Sequence, residues 1–151
     1  MVVGAGSFSS VYRPRQRALD RWVAIKILPE KIPGRRQALL KEAQTQAQMS
    51  IGCIPAVYDA FEWGQQVCIL MQWIKGVSLH SLLERNPSPS ARRTLAAAMV
   101  EALASLHRLG YAHRDLNPAN ILISPSDGLF LVDFGFSKNI ADGERSMSMT
   151  V

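Results

Sequence analysis

Apolar and polar residues alternate with a period of two along several short stretches of the first half of the chain, and recur at helical spacing in longer stretches. The runs Val11–Arg13, Trp22–Leu28, Ala56–Glu62 and Gln66–Trp73 read as strands, and Met1–Val3 as a stub of another. Trp63-Gly64-Gln65 turns the third of these runs into the fourth. Arg35–Met49 reads as a helix with Leu39, Ala43, Gln46 and Ala47 on one flank, bounded by the breaks Pro33-Gly34 and Gly52–Pro55. The pattern predicts five antiparallel strands against one main helix, hence an α+β first half.

Beyond Gly76, which ends a connection suited to a hinge, the pattern becomes helical. A short helix is expected over Ser78–Arg85, then a proline-rich break at Asn86–Pro89. A long helix follows, capped by Ser90 and closed at Gly110, with Leu95, Met99, Ala102, Leu103, Leu106 and Leu109 as its core stripe. Pro118 forces Asn117 into extended geometry and makes 116–119 irregular but rigid. Ile121–Ser124 and Leu129–Asp133 then form a hairpin about Pro125–Gly128, with Asn120 and Asp133 side by side at its open ends.

Composition changes this picture little. The chain has 151 residues, 48% of them hydrophobic, enough for a packed core, and 17 basic against 12 acidic residues for a formal charge of +5. The basic residues are scattered, which favours solvated surface over a nucleic-acid stripe. Cys53 and Cys68 lack ligand spacing and fit a reduced interior. No apolar run approaches the roughly 18 residues of a membrane span, and the start lacks a secretory signal. The expected compartment is cytoplasmic.

The candidate chemistry sits in three places. Gly4-Ala5-Gly6-Ser7-Phe8-Ser9 allows a tight backbone whose amides can face phosphate, although a plain hairpin turn explains two glycines equally well. Lys26 shares a strand face with the small Ala24. It can snorkel at an edge or point into a cleft toward phosphate, and in the latter case Glu42 of the following helix is a carboxylate to hold it. His113-Arg114-Asp115, Asn120 and Asp133 place an acid, an amide and a second acid where no core needs them, and the amide oxygen and carboxylate at the hairpin ends suit magnesium carrying phosphate oxygens.

Taken together, GAGSFSSV at Gly4–Val11, VAIK at Val23–Lys26, Glu42, HRDLNPAN at His113–Asn120 and DFG at Asp133–Gly135 resemble the eukaryotic-type protein kinase family over the entire chain. The signal is specific because Asn120 lies five residues after Asp115 and Asp133 thirteen beyond Asn120, with VAIK upstream in order. The resemblance implies a protein-kinase-like fold: an antiparallel five-stranded small lobe over 1–74, with a clipped first strand, and an incomplete, mainly helical large lobe over 75–151. It implies ATP and Mg2+ as cofactors and a protein carrying Ser or Thr as substrate.

Site roles follow from the same resemblance. Gly4 and Gly6 close on the nucleotide phosphates, Val11 and Ala24 roof the adenine and Leu122 floors it, and Lys26, oriented by Glu42, holds the α and β phosphates. Met71 is the gatekeeper, and Gln72 and Ile74 offer backbone hydrogen bonds to adenine. Asp115 accepts the hydroxyl proton, and Asn120 and Asp133 hold magnesium. Val57, Gln46, His113 and Phe134 take the places of a stacked spine, in which Gln46 is an unusual polar member. Asn117 stands where serine/threonine-specific members usually have a lysine, so slower transfer is expected, and a lysine there is expected to raise turnover. Ser9 replaces the third loop glycine. Arg114 is placed to pair with a phosphate on Ser146, Ser148 or Thr150.

The chain reads as ending inside the activation segment, Phe136–Val151. The resemblance therefore leaves two further readings: a catalytically inactive kinase-like fragment that binds nucleotide or a partner, and a small-molecule phosphotransferase of similar fold.

Overall fold

The computed structural model describes residues 2–5, 10–29, 35–64, 66–134 and 138–139. The chain divides into two compact units, Met1–Ser50 with Pro55–Ile74, and Ile51–Ile54 with Lys75–Val151.

The first unit is an antiparallel sheet with one long helix. Its strands are β1 (Val2–Ala5), β2 (Ser10–Tyr12), β3 (Arg15–Gln16), β4 (Arg21–Pro29), β5 (Val57–Trp63) and β6 (Gln66–Gln72), and its helix is α1 (Arg35–Gln48). Five strands run in the order β1-β2-β4-β6-β5, and the two-residue β3 adds to β4. The five-strand expectation holds. The polar stretch before β4 is not plain loop, however, because β3 and a 3-10 turn at Arg17–Leu19 occupy it. β5 is an edge strand, and Tyr58, Phe61 and Trp63 are exposed on it. Central β6 buries Val67, Cys68 and Ile69 in succession, as a strand covered on both faces must.

Register decides which side chains share a face, since directly opposed residues on antiparallel strands project to the same side. Lys26 lies opposite Val11 on β2 and Ile69 on β6, and Ala24 opposite Met71. The helix covers this face: Ala43 packs with Val67 and Ile69, joined by Leu40, Val57 and Met71. Among the described side chains of α1 the inward ones are Leu40, Ala43 and Gln46, whereas Ala47, expected on that flank, is exposed, and the side chain of Leu39, also expected there, lies outside the described residues. Gln46, only 6% exposed, donates its Nε2 to the carbonyl of Pro55 at 2.9 Å. That bond satisfies a polar group which the apolar-stack reading left without a partner.

The second unit holds β7 (Val77–Ser78), α2 (Leu79–Glu84), α3 (Pro89–Arg108), β8 (Tyr111–Ala112), β9 (Ile121–Ser124), β10 (Gly128–Leu131) and β11 (Lys138–Asn139). β9 pairs with both β10 and β7, and β11 with β8. Its core gathers Ile54, Leu79, Ala102, Leu106, Ile121, Phe130, Leu131 and Phe134. The four-residue loop 51–54 groups here, whereas the sequence division at residue 74 keeps it with the first half. The reason is a backbone bond from Leu131 N to Cys53 O at 2.8 Å, with the Cys53 thiol directed to Ala102 O at 3.8 Å. Burial pushes both the Cys53 and Cys68 thiols up, consistent with unreactive interior cysteines.

Two helix-end expectations are corrected. The cap of α3 is Ser88, not Ser90: its Oγ accepts from Ala91 N at 3.2 Å, and Pro89 takes the first helical position, where no backbone N–H is needed. Leu109, expected in the core stripe, is 42% exposed because the helix has already ended, with Gly110 left-handed at φ 79°. Ser88→Ala should lower stability by about 1 kcal/mol in urea unfolding. Ser90→Ala should cost much less; equal effects would contradict the cap assignment. Among the described residues, no helix is long and apolar enough to cross a membrane.

Candidate active site

In the first unit, four of the residues predicted for the nucleotide, Val11, Ala24, Lys26 and Met71, fall on one sheet face. Gly4 pairs with Val11 beside a register irregularity at Val2/Gly4, so the glycine sits where the ladder departs from regular pairing. Val11, Ala24, Lys26 and Met71 follow each other across β2, β4 and β6. Ala24 is 6% and Lys26 8% exposed, so an ammonium group is embedded in an apolar surface, which is tolerated only where it has partners. Lys26 does have interactions. Glu42 lies in mid-α1, but its side chain lies outside the described residues, as do Gly6 and Ser9. The Gln72 amide N–H is committed to Ala56 O at 2.8 Å, and its side chain accepts from Ala56 N at 3.3 Å. Ile74 is buried at the end of this unit.

In the second unit, the chain from His113 to Phe134 builds a compact polar loop. His113 is 2% exposed, its ring centroid lies 4.8 Å from that of Phe134, and its Nε2 lies 3.0 Å from Val132 O. A carbonyl can only accept, so Nε2 carries the proton and Nδ1 is left buried without a hydrogen-bond partner. The histidine thus ties the start of the loop to the segment that ends in Asp133. The hairpin closes the same way, with Val132 N donating to Asn120 O at 2.9 Å. This bond brings the two open ends together as the turn chemistry predicted.

Asp115 is held by amides. Asn120 Nδ2 donates to both Asp115 O at 2.9 Å and Asp115 Oδ2 at 3.0 Å, and Asn117 Nδ2 donates to Asp115 O at 3.2 Å. With the Asn120 nitrogen spent on Asp115, the oxygen of the same amide is the atom left to meet a cation. Asn117 is a cap: its Oδ1 accepts from Ala119 N at 2.9 Å and Asn120 N at 3.2 Å. Residues 116–119 are accordingly not wholly irregular, since Pro118–Asn120 form a 3-10 turn on that cap. Asn117 itself is extended at φ −144°, as the following proline requires. A lysine at 117 forfeits these bonds, so any gain in charge is set against loss of the turn that carries Asn120.

Arg114 (φ 64°) and Asp133 (φ 67°) are left-handed non-glycine residues. Such geometry costs on the order of 1–3 kcal/mol each and persists where neighbouring bonds over-determine it, here the His113–Val132 and Val132–Asn120 links. Asp133 is exposed and has interactions. Leu122 is half-buried, paired with Phe130 and Ser78. At the far tip of the hairpin, the hydroxyls of Ser126 and Ser124 hold the Asp127 carboxyl below the usual carboxylate range. Gly135, Ser146, Ser148 and Thr150 lie outside the described residues.

Two features escaped sequence reasoning. The capping role of Asn117 was legible in principle, since Asn before Pro-Ala-Asn is an Asx-type cap signal. The placement of the Arg13 guanidinium over the rings of Trp22 (4.5 Å) and Trp73 (5.4 Å) had no signal, because the three residues are remote in sequence.

Residues 1–151 match the family described as protein kinase domain. The serine/threonine-protein kinase PknL of Mycobacterium tuberculosis is 36% identical over 144 residues, covering 92% of this chain and 36% of that protein. The serine/threonine-protein kinases PknB of Mycobacterium tuberculosis and of Mycolicibacterium smegmatis are each 32% identical over 158 residues, covering 99% of this chain and 25% of those proteins. The chain thus spans little more than a third, or only a quarter, of the relatives it matches. With the antiparallel sheet, the single long helix of the first unit and the His113–Phe134 loop in place, the chain belongs to the protein kinase domain family.

Proposed function

We propose that this chain carries the catalytic residues of an ATP-dependent serine/threonine protein kinase, which transfers the γ-phosphate of Mg-ATP to a protein hydroxyl. The observation that carries the reading is the bonding of Asp115: a carboxylate positioned by Asn120, whose own carbonyl is bonded to the residue before Asp133. A general base, an amide oxygen and a second carboxylate are thereby grouped on one loop, as phosphoryl transfer needs.

The donor set fits the nucleotide and its metal. Lys26 is a cation embedded beside Ala24 on an apolar face, suited to phosphate at the edge of a base-binding surface. Among the described residues no three His, Cys, Asp or Glu side chains gather for a metal, so magnesium would be held by the Asn120 amide and Asp133 carboxylate, with phosphate oxygens and water completing its shell. When bound, Mg-ATP supplies the phosphoryl group and the neutralising charge. Lys26, aided by Glu42, binds phosphate; Gly4 and Gly6 admit it close to the backbone. Val11, Ala24 and Met71 receive the base, with Ile74 and the Gln72 carbonyl as backbone partners. Asp115 takes the proton from the attacking hydroxyl, and Asn117 keeps the turn that presents Asn120.

Incubation with labelled ATP, magnesium and a generic basic protein tests the reading. Label should appear on serine or threonine, vanish with chelator, and fall at least about 100-fold in Lys26→Met, the order expected for losing one charge-stabilising donor. Label that never reaches protein but does reach a small alcohol would favour the small-molecule reading instead.

A further inference from the structure

At one end of the sheet face that carries Val11, Ala24, Lys26 and Met71 lies a cluster with no place in the roles above. Trp22 lies two residues before Ala24 on β4 and so projects to the same side of the sheet, while Arg13 directly follows β2 and Trp73 directly follows β6. The Arg13 guanidinium lies 4.5 Å from the Trp22 ring centroid and 5.4 Å from that of Trp73. Its Nε is buried with no hydrogen-bond partner, so the rings rather than a hydrogen bond hold that part of the group. Trp22 alone would not need such an arrangement, being 49% exposed.

We infer that Arg13 is a positioning residue for adenine recognition: through Trp73 it fixes the backbone of Gln72–Ile74, the segment that reads the base. Three segments meet at this one cation: the chain leaving β2, the start of β4 and the chain leaving β6. Gln72 is anchored on the opposite side by its paired bonds with Ala56, whereas residue 73 is past the end of the ladder. The cation–π contacts supply the missing restraint, and a planar guanidinium suits two rings better than an ammonium does. The inference rests on the nucleotide reading above.

The test uses the full chain and measures Mg-ADP and Mg-GDP affinity by calorimetry, amide hydrogen exchange at 72–74, and the unfolding midpoint. Arg13→Leu should weaken Mg-ADP binding about three- to tenfold, the scale of partly desolvated cation–π contacts. It should also reduce the ADP-over-GDP preference and speed exchange at Trp73 and Ile74, and Arg13→Lys should restore part of each. A parent that binds no Mg-ADP overturns the nucleotide reading and the inference with it. A parent that binds, with exchange and base preference unchanged in Arg13→Leu, overturns the inference alone. So does a loss that follows only a lowered unfolding midpoint, with the base preference intact.

Discussion

Asp115→Asn should reduce phosphotransfer by about 100- to 10,000-fold, the range set by loss of a general base, while Mg-ADP affinity changes little. The separation follows from how the loop is bonded. Of the three amide bonds that hold this residue, two go to its backbone carbonyl and one to its carboxylate. Asparagine keeps the carbonyl bonds and one side-chain oxygen for Asn120, so the loop retains its form and loses only an anionic acceptor. A fall in kcat without a matching change in nucleotide binding marks an interaction made in the transition state. Asn120→Ala is the informative contrast, since it removes two bonds to Asp115 together with a metal-capable oxygen and should lower both quantities. Rates for Asp115→Asn within about threefold of the parent, far inside the general-base range, would remove Asp115 from the chemistry and leave a nucleotide-binding interaction module as the better account.

The largest effect on stability is expected at Gly76. A Cβ built there would lie 2.4 Å from Ile123 O and 2.8 Å from Ile123 C, with Ser124 N at 3.1 Å. All three are backbone atoms of β9, which is fixed on one side by β10 and on the other by β7, the strand beginning at the very next residue. No flexible side chain can yield, so Gly76→Ala must push β7 off β9 or shift the hairpin that positions Asn120. Overpacking of this kind costs about 1–3 kcal/mol or more, and a chain of this size loses roughly 2–4 °C of Tm per kcal/mol. Gly52→Ala, with nothing within 4 Å of the added carbon, serves as the near-neutral control. Matching melting curves for the two variants would show that the close approach is not native. The observed constraint on Gly76 is thus contact, a stricter demand than the flexibility suggested by a glycine at the end of a connection.

Much of the architecture was legible in residue order because it depends on local periodicity. The alternation through Val23–Lys26 placed Ala24 and Lys26 on one face, and the register confirms it. The break before Ile121 and the turn residues at 125–128 located the hairpin within a residue or two. The family itself was readable from HRDLNPAN and DFG, since spacing along one loop is a property of the chain alone.

What periodicity could not supply was the choice between equally suitable partners. Ser88 and Ser90 are both competent caps, and Pro89 at the first helical position decides for Ser88. Gln46 and Ala47 both fit the inner flank of α1, and only the packing against Val67 and Ile69, with the Pro55 carbonyl in reach, selects Gln46. Asn117 could be read as a weak stand-in for a missing charge, whereas its side chain is consumed by the turn it caps. Arg13, Trp22 and Trp73 carried no common signal until three strand ends met. Local order along the chain therefore determined the elements, the loop chemistry and the family. Tertiary structure decided which of several competent side chains found its partner, because hydrogen bonds and ring contacts act over a few ångströms between residues that sequence leaves far apart.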